Sequence, residues 1–491
     1  VYDELNEHSS CGVGLIASLK NVPTREVVEM GIEALKCLYH RGAVDADGKT
    51  GDGAGILVQI PDAYLREDLA KHNIKLPPEG QYGVGMTFLP MDKSKRQAFV
   101  SEVNKIVQQE GLTLLHWREV PVNPDSIGVL ANKSRPYITQ FFVASSNSVN
   151  ENDLELTLYV VRKQIEQSVE NETYEGNEDF YISSLSCRKL VYKGLIMAHQ
   201  LTGFYPDLAD DNFKSAFALV HSRFSTKTLG TWKLAHPYRF AIHNGEINTH
   251  RGNVNWMSSR EKTFQSDKLG KDIEKLLPIV KHGQSDTASL DNALELLVST
   301  GRTLEHSLMM LIPEAWGDHI PMDPQKRAFY EYHSSMMEPW DGPALVIGTD
   351  GTKVCAILDR NGLRPCRYLV TKDGLLVMAS ETGVLDVNPE DVLYKERIYP
   401  GKMFLLDTKE GKIHQDEEIK SELISRKPYE KWLSENRVFL EDIIDMTKAD
   451  QETVDENLLI KLQNTFGYTL EDIRIIPVSY THLTLPTSDL V

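Results

Sequence analysis

The segment SCGVGLIASL, residues 10–19, sets a cysteine between small residues and directly before an apolar run. The run from Gly12 to Leu19 predicts a buried strand. Cys11 could be a small apolar residue that begins this strand, since free cysteines are usually buried. It could also be a nucleophile, because removal of the preceding residues would expose an α-amine that titrates near pH ~7.7 to 8 and can serve as its base.

The composition excludes several classes of protein. The chain has 491 residues, of which 41% are hydrophobic, so it can form one very large domain or two to three ordinary ones. The formal charge of -18 argues against a nucleic-acid or acidic membrane partner. No apolar run approaches the roughly 18 residues that span a bilayer, and the start VYDELNEHSS is unlike a signal peptide. We therefore expect a cytoplasmic protein with no nucleic-acid or membrane partner.

The cysteines show no pattern of a disulfide framework or a metal site. They are odd in number and sparse, and none has CxxC spacing: Cys11, Cys37, Cys187, Cys355 and Cys366. This predicts reduced thiols and no zinc or iron–sulfur ligands in this chain.

Apolar periodicity predicts a mixture of helices and strands. Capping residues followed by helical spacing predict helices that begin at Thr24, Asp92 and Ser285. Three turn signals between apolar runs predict antiparallel hairpins at Asp350-Gly351, Asp373-Gly374 and Glu410-Gly411. The number of short strands indicates two packed sheets. Charged residues increase after about residue 415, so we expect a domain boundary near 420–430.

A glycine-rich segment, TGDGAG at residues 50–55, precedes the apolar strand Ile56–Ile60. It matches neither the phosphate loop GxxxxGK[ST] nor GxGxxG, so it does not predict a nucleotide site. We expect these glycines to permit close backbone packing near Cys11.

In the segment from His221 to Met257, polar residues alternate with short apolar runs. This pattern is not typical of a strand or helix in a hydrophobic core. His243-Asn244-Gly245 follows a strand-like run from Tyr238 to Ile242, and we expect a turn there. Such a turn could present the Asn244 amide and the Gly245 N–H to one point, as an oxyanion hole requires. Asn-Gly pairs are also common in plain turns.

Other polar residues near this segment each have two interpretations. Arg223 could bind a substrate carboxylate through two hydrogen bonds, or form a surface salt bridge. Asp286 could pair with a substrate ammonium, or be a helix N-terminal acid. His236 and His243 could act as bases, or only satisfy local hydrogen bonds. No spacing here supports metal ligation.

Motifs in a fixed order connect the chain to one family. They are CGVG, YHRGA, TGDGAG, HSRFST, AHPYR, HNGEIN, RGNVNWM, QSDTASLDN, WDGPA and LDRNGLRP. Together they resemble the class II glutamine amidotransferase domain of glutamate synthase large subunits, over roughly residues 8–470. The resemblance implies an α+β fold of the N-terminal nucleophile hydrolase type, an αββα sandwich of two antiparallel sheets between helical layers.

The same resemblance implies roles for the residues that match its motifs. Cys11 would become the first residue after removal of a propeptide and attack the amide carbon of L-glutamine. Asn244 and Gly245 would stabilise the oxyanion. Three residues would bind the amino-acid end of the substrate, and two more would support the site: Arg223, Thr226 and Asp286, then Arg41 and His236.

The resemblance also implies a division of the chain. We expect a propeptide at 1–10, the amidotransferase domain at 11–425, and a linker with the start of the central synthase domain at 426–477. Residues 478–491 do not resemble the family and look like a non-native read-through tail. The chain begins without Met and is expected to be a fragment.

Full-length members of this family contain further parts that this chain does not match. They bind FMN and an iron–sulfur cluster in a central domain, so we expect no cofactor in this fragment. Its expected partners are L-glutamine, the missing synthase domains and, in NADPH-dependent members, a small NADPH-oxidising subunit.

Two alternatives stay open at this point. Another class II amidotransferase, such as the phosphoribosyl-pyrophosphate enzyme, shares the Cys, HNG and NGLRP elements, although the insertion at 61–220 and RGNVNWM argue against it. The chain could instead be a regulatory or binding module in which residues 1–10 keep Cys11 capped and inactive.

Overall fold

Strand β1, Gly12–Ser18, is the middle strand of a seven-stranded antiparallel sheet. The computed structural model describes residues 10–145, 147, 149–171, 175–224, 230–317, 319–443 and 455–474. The strands of this first sheet, in spatial order, are β14 (Val392–Arg397), β12 (Arg367–Thr371), β13 (Leu375–Ala379), β1, β8 (Phe217–Ser222), β2 (Ala54–Gln59) and β7 (Lys189–Gly194). Cys11 immediately precedes β1 and therefore lies at one end of the middle strand of this sheet.

A second antiparallel sheet packs face to face against the first. Its strands, in spatial order, are β16 (Lys412–Gln415), β15 (Met403–Asp407), β11 (Lys353–Leu358), β10 (Ala344–Thr349) and β9 (Ala241–Gly245). Side chains alternate along a strand, so Val13 and Leu15 of β1 point to the same face. There they share a buried core with Ile242 of β9 and Leu345 of β10.

Helices cover the outer face of each of these two sheets. Helix α1, Arg25–Cys37, begins at the predicted cap, where Thr24 Oγ1 accepts the Val27 N–H. It lies so close to β8 that a β-carbon on Gly31 would be 2.7 Å from Ala218 Cβ. Helices α8 (Asp286–Ser299) and α9 (Leu304–Leu311) cover the second sheet. The layers therefore follow the order helix, sheet, sheet, helix, which is the αββα arrangement that was predicted.

A third antiparallel sheet adds to this sandwich. Its strands, in spatial order, are β4 (Leu112–Glu119), β5 (Tyr137–Ser145), β3 (Tyr82–Leu89) and β6 (Tyr181–Ser186). Helices α3 (Lys93–Gln109) and α5 (Glu151–Asn171) pack on one face, where Phe99 and Leu158 join one core. Tyr82 and Val84 from the other face join the core beneath α1. The number of short strands predicted two packed sheets, and the structure has this third sheet in addition.

The three hairpins predicted from turn signals are confirmed. Strand β10 pairs with β11, β12 with β13, and β15 with β16, each antiparallel. The remaining helices are α2 (Asp62–Ala70), α4 (Val129–Lys133), α6 (Leu201–Phe204), α7 (His250–Arg260), α10 (Pro324–Ser334), α11 (Asp416–Ser425), α12 (Tyr429–Asn436), α13 (Leu440–Ile443) and α14 (Glu456–Thr465).

The chain divides into two compact units, 1–431 and 432–491. The first unit contains all three sheets, and the second contains the short helices α13 and α14. The domain limits predicted from the sequence stay predictions. No helix in the described part of the chain combines the length and apolar character needed to cross a bilayer.

Candidate active site

Cys11 lies at the entrance to β1, with its thiol against the backbone of Phe224. The Phe224 N–H donates to Cys11 Sγ at 3.4 Å, and the thiol donates to the Phe224 carbonyl oxygen at 3.5 Å. Burial raises the pKa of the Cys11 thiol, although the Phe224 N–H and the Arg223 charge oppose this shift. A thiol with a raised pKa needs a nearby base before it can attack at neutral pH.

Arg223 follows the last residue of β8, whose Ser222 lies opposite Gly12 of β1. The Arg223 N–H donates to the Gly53 carbonyl at 2.8 Å. Its guanidinium is buried, and Nη1 donates to the Asp52 carbonyl at 3.3 Å. The glycine-rich segment therefore packs against Arg223, which lies close to Cys11 in space, as predicted. Thr226, the other predicted carboxylate-binding residue, lies outside the described residues.

Asn244 and Gly245 are the last residues of β9, so the turn predicted there is wrong. Gly245 pairs with Ala344 of β10 and has a φ of 136°. Asn244 is buried opposite Leu345, and its Oδ1 accepts no hydrogen bond from the described residues.

Asp291 of α8 explains why the strand lies later in the sequence than predicted. Its Oδ2 accepts the Arg239 N–H at 3.2 Å, and its Oδ1 accepts those of Phe240 and Ala241 at 2.8 and 2.9 Å. The carboxylate therefore satisfies backbone groups that the predicted strand would have used for pairing. A buried carboxylate that receives three N–H bonds also anchors the start of β9 to α8.

Asp286 is the first residue of α8, which Ser285 caps by accepting the Ala288 N–H. Asp286 Oδ2 accepts the Ile247 N–H at 2.9 Å, and Oδ1 accepts the Thr287 N–H at 2.7 Å. Burial raises the pKa of Asp286, but the neighbouring His243 and these two N–H groups outweigh it and hold the pKa below its ordinary value. Asp286 is therefore a carboxylate at neutral pH.

Three histidines from the HSRFST, AHPYR and HNGEIN motifs lie together behind these residues. The rings of His221 and His236 have centroids 4.0 Å apart, and His243 Nδ1 lies 2.9 Å from Thr287 Oγ1. Burial lowers the pKa of His221 to about 3, and lowers the pKa values of His236 and His243 as well. All three rings are therefore neutral near pH 7, and His236 Nδ1 has no hydrogen-bond partner among the described residues.

Arg41 contacts the residues on both sides of Cys11. Its Nη1 donates to Ser10 Oγ at 3.3 Å, and a β-carbon on Gly12 would lie 3.2 Å from Arg41 Cβ. Two further bonds, at 3.3 and 3.1 Å, join Arg41 to the carboxylate of Glu381. The structure therefore brings this predicted supporting residue to the point where the propeptide would be cut.

Glu381 and Arg364 are neighbours of the site that were not among its predicted residues. Glu381 accepts from Arg41 and also lies 2.9 Å from His40 Nε2. The charge of Arg364 lowers the pKa values of both Cys11 and His243, so it acts on both. Its place in LDRNGLRP was the one signal that could have pointed to Arg364.

A cavity of about 410 Å³ gathers most of the predicted site residues. Those that line it are Cys11, Arg223, His236, His243, Gly245 and Asp286. Asn244 is not among the described residues that line this cavity, since it is buried in β9. The cavity thus combines a thiol, a cation, an anion and the backbone of a positive-φ glycine. A zwitterionic amino acid with a side-chain carbonyl would find a complementary group for each of its parts.

Within the described ranges, no group of three or more His, Cys, Asp or Glu side chains is placed to hold a metal ion.

The family model of the glutamine amidotransferases class-II matches residues 11–432 of this chain. A glutamate synthase [NADPH] large chain from Bacillus subtilis (strain 168) is 49% identical over 475 residues, which are 96% of this chain and 31% of that protein. The corresponding large chain from Azospirillum brasilense is 42% identical over 478 residues, with 97% and 31% covered. A ferredoxin-dependent glutamate synthase from Pyropia yezoensis is 43% identical over 473 residues, with 96% and 30% covered.

The chain spans about three tenths of the length of these relatives. Among solved structures, the glutamine phosphoribosylpyrophosphate amidotransferase from B. subtilis complexed with ADP and GMP matches 68% of this chain and 48% of its own. Its TM-score is 0.30 and its sequence identity 14%.

Proposed function

The chain belongs to the class II glutamine amidotransferases, and from that premise we propose that it hydrolyses L-glutamine to glutamate and ammonia through a thioester on Cys11. The observation that carries this proposal is the cavity that brings the Cys11 thiol together with Arg223, Asp286 and Gly245. Arg223 binds the α-carboxylate of glutamine through its guanidinium, and Asp286 binds the α-ammonium as a carboxylate.

The thiol reacts only after residues 1–10 have been removed. Its buried position raises the pKa of Cys11, so that a base must take the thiol proton. All three neighbouring histidines are buried, and the rings of His221 and His243 already make hydrogen bonds. The freed α-amine of Cys11, in contrast, is covalently attached to the nucleophile. We assign the base to this amine.

The proposed reaction has two steps. Cys11 Sγ attacks the side-chain carbonyl carbon of glutamine, and the α-amine takes the thiol proton. The Gly245 N–H and the Asn244 amide stabilise the resulting oxyanion. The C–N bond then breaks, the α-amine returns the proton to the leaving nitrogen, and ammonia departs. Water finally hydrolyses the thioester to glutamate and restores the thiol.

We further propose that this reaction is the ammonia-producing half of a glutamate synthase in the cytoplasm. The support is identity of 42 to 49% with two large chains over nearly the whole chain. In this proposal the ammonia serves reductive amination of 2-oxoglutarate, and the FMN, the iron–sulfur cluster and any NADPH-oxidising subunit belong to parts outside this chain.

The test uses Cys11→Ala and Cys11→Ser, with Cys37→Ala as the matched control because Cys37 is exposed at the end of α1. Ammonia release from glutamine should be abolished in both Cys11 variants and retained in the control, with unchanged circular dichroism. Substantial release by Cys11→Ala would contradict the nucleophile. Intact mass decides the capped alternative: a protein that keeps Val1 to Ser10 would be the inactive form.

A further inference from the structure

His221 makes a hydrogen bond that joins the two sheets of the sandwich at the site. It lies in β8 directly opposite Val13, two residues after Cys11. Its ring points into the layer between the sheets, where Nε2 lies 2.9 Å from the carbonyl oxygen of His243 in β9. His243 immediately precedes Asn244 and Gly245. One side chain thus connects the strand pair that carries Cys11 to the strand that carries the oxyanion donors.

The proton of this bond can be placed by elimination. The carbonyl oxygen of His243 can only accept, so Nε2 of His221 must carry the hydrogen. Nδ1 is then the unprotonated nitrogen, and it is buried with no hydrogen-bond partner among the described residues. The ring is fully buried, so a lost donor would leave the His243 carbonyl without this partner in a dry environment.

Apolar side chains of both sheets pack beside this bond. Val13, Leu15, Ile242 and Leu345 belong to one hydrophobic core. Apolar contacts set the distance between layers but depend weakly on direction, so they resist a small slide poorly. At the opposite end of β10, Lys189 Nζ donates to the Thr349 carbonyl at 3.1 Å. Loss of the His221 bond would therefore let the end of the second sheet that carries Gly245 shift relative to Cys11, while the Lys189 bond still holds the opposite end of that sheet.

We propose that His221 is a positioning residue, which fixes the oxyanion donors of β9 relative to Cys11 through its bond to the His243 backbone. This inference rests on the proposed glutamine hydrolysis for its kinetic consequence, but not for its structural one. The oxyanion forms only during the reaction, so misplacement of its donors lowers kcat more than it changes KM.

The kinetic test compares His221→Gln, whose amide nitrogen can still donate, with His221→Leu, which cannot. We expect His221→Leu to lower kcat at least ~10-fold with KM within about 2-fold, since displacement of a catalytic group by a fraction of an ångström is costly. His221→Gln should keep kcat within about 3-fold of the parent protein. His333→Leu is the matched control, because His333 is also buried and bonds a backbone carbonyl, that of Phe329, at 2.7 Å.

The structural test needs no activity. In a crystal structure of His221→Leu, the separation between Cys11 Sγ and the Gly245 nitrogen should differ from that in the parent protein by more than about 0.5 Å. In His333→Leu it should not change. An unchanged separation, or equal kcat losses in folded His221→Gln and His221→Leu, would overturn the positioning role. A parent protein that releases no ammonia would instead overturn the proposed function, and the crystal structures would still decide the role of His221.

Discussion

A β-carbon on Gly245 would clash with the carbonyl oxygen of Pro343. The close approach arises because Gly245 ends β9 with a φ of 136°, a conformation that residues with side chains rarely adopt. The next residue, Glu246, donates its N–H to the same oxygen at 3.0 Å. The glycine therefore fixes both the end of the strand and the direction of its own N–H.

Gly245→Ala should damage both the fold near the site and the reaction. The new methyl group must displace Pro343 or Gly245 itself, at a cost of about 1 to 3 kcal/mol in free energy of unfolding. Because the Gly245 N–H then points elsewhere, kcat should fall by roughly 10²-fold or more. Thermal melting and ammonia release measure the two effects.

Gly252→Ala is the control for this substitution. Gly252 lies in α7, and a β-carbon there would meet no atom within 4 Å. Alanine favours a helix over glycine by about 1 kcal/mol, so this variant should be as stable as the parent protein or more stable. If Gly245→Ala kept parental kcat and melting temperature, the strained geometry would not matter.

Asn244→Ala tests the side-chain part of the oxyanion hole. If the amide donates to the oxyanion, kcat should fall by a factor on the order of 10² to 10³ while KM changes little. Asn253→Ala is a matched control, since Asn253 is also buried and its Nδ2 donates to the Pro339 carbonyl at 3.0 Å. An equal loss of kcat in the two variants would indicate that Asn244 only supports the fold.

Arg223→Lys should separate substrate binding from chemistry. A lysine offers a single charged group where the guanidinium offers two parallel N–H donors, so lysine binds the α-carboxylate less well. This contact is far from the bond that breaks. The KM for glutamine should therefore rise more than kcat falls. Arg66→Lys, a substitution in a partly exposed ion pair with Asp62, should leave both unchanged. An unchanged KM in Arg223→Lys would make Arg223 structural.

Local signals account for the elements that the sequence predicted well. Thr24 and Ser285 cap helices through bonds to residues three positions later, and each of the two Asp-Gly hairpins has three residues between its strands. These contacts join residues that are close in the sequence, so local sequence patterns predict them. The start of β9 was misplaced because the carboxylate of Asp291, 50 or more positions away, accepts the N–H groups of residues 239–241.

The site shows the same division between local and distant contacts. The motifs carry Cys11, Arg223, Gly245 and Asp286, and the structure gathers these four around one cavity. The bond of Arg41 to Glu381 spans 340 positions. No spacing rule predicts that contact, because it depends on how β13 and β1 pair.

The pair formed by half-buried His306 and buried His333 predicts that the protein loses stability in mild acid. Their Nε2 atoms lie 2.9 Å apart, and burial lowers the pKa of His306 to about 3 and that of His333 to about 4. In the unfolded chain each titrates near ~6.5. Below that pH the unfolded state binds protons that the folded state does not bind. The free energy of unfolding therefore decreases as the pH is lowered, by up to ~1.4 kcal/mol per pH unit for each histidine, until the pH reaches the folded pKa.

His306→Gln should make this pH dependence shallower by removing one of these groups. Urea unfolding at pH 7, 6 and 5 gives the slope of the free energy of unfolding against pH, and the variant should lose less stability over this range than the parent protein. His199→Gln is the control, since His199 is exposed at its position. Its slope should match that of the parent, because this substitution leaves His306 and His333 in place. A His306→Gln slope equal to that of the parent would show that this histidine pair takes up protons in the folded protein.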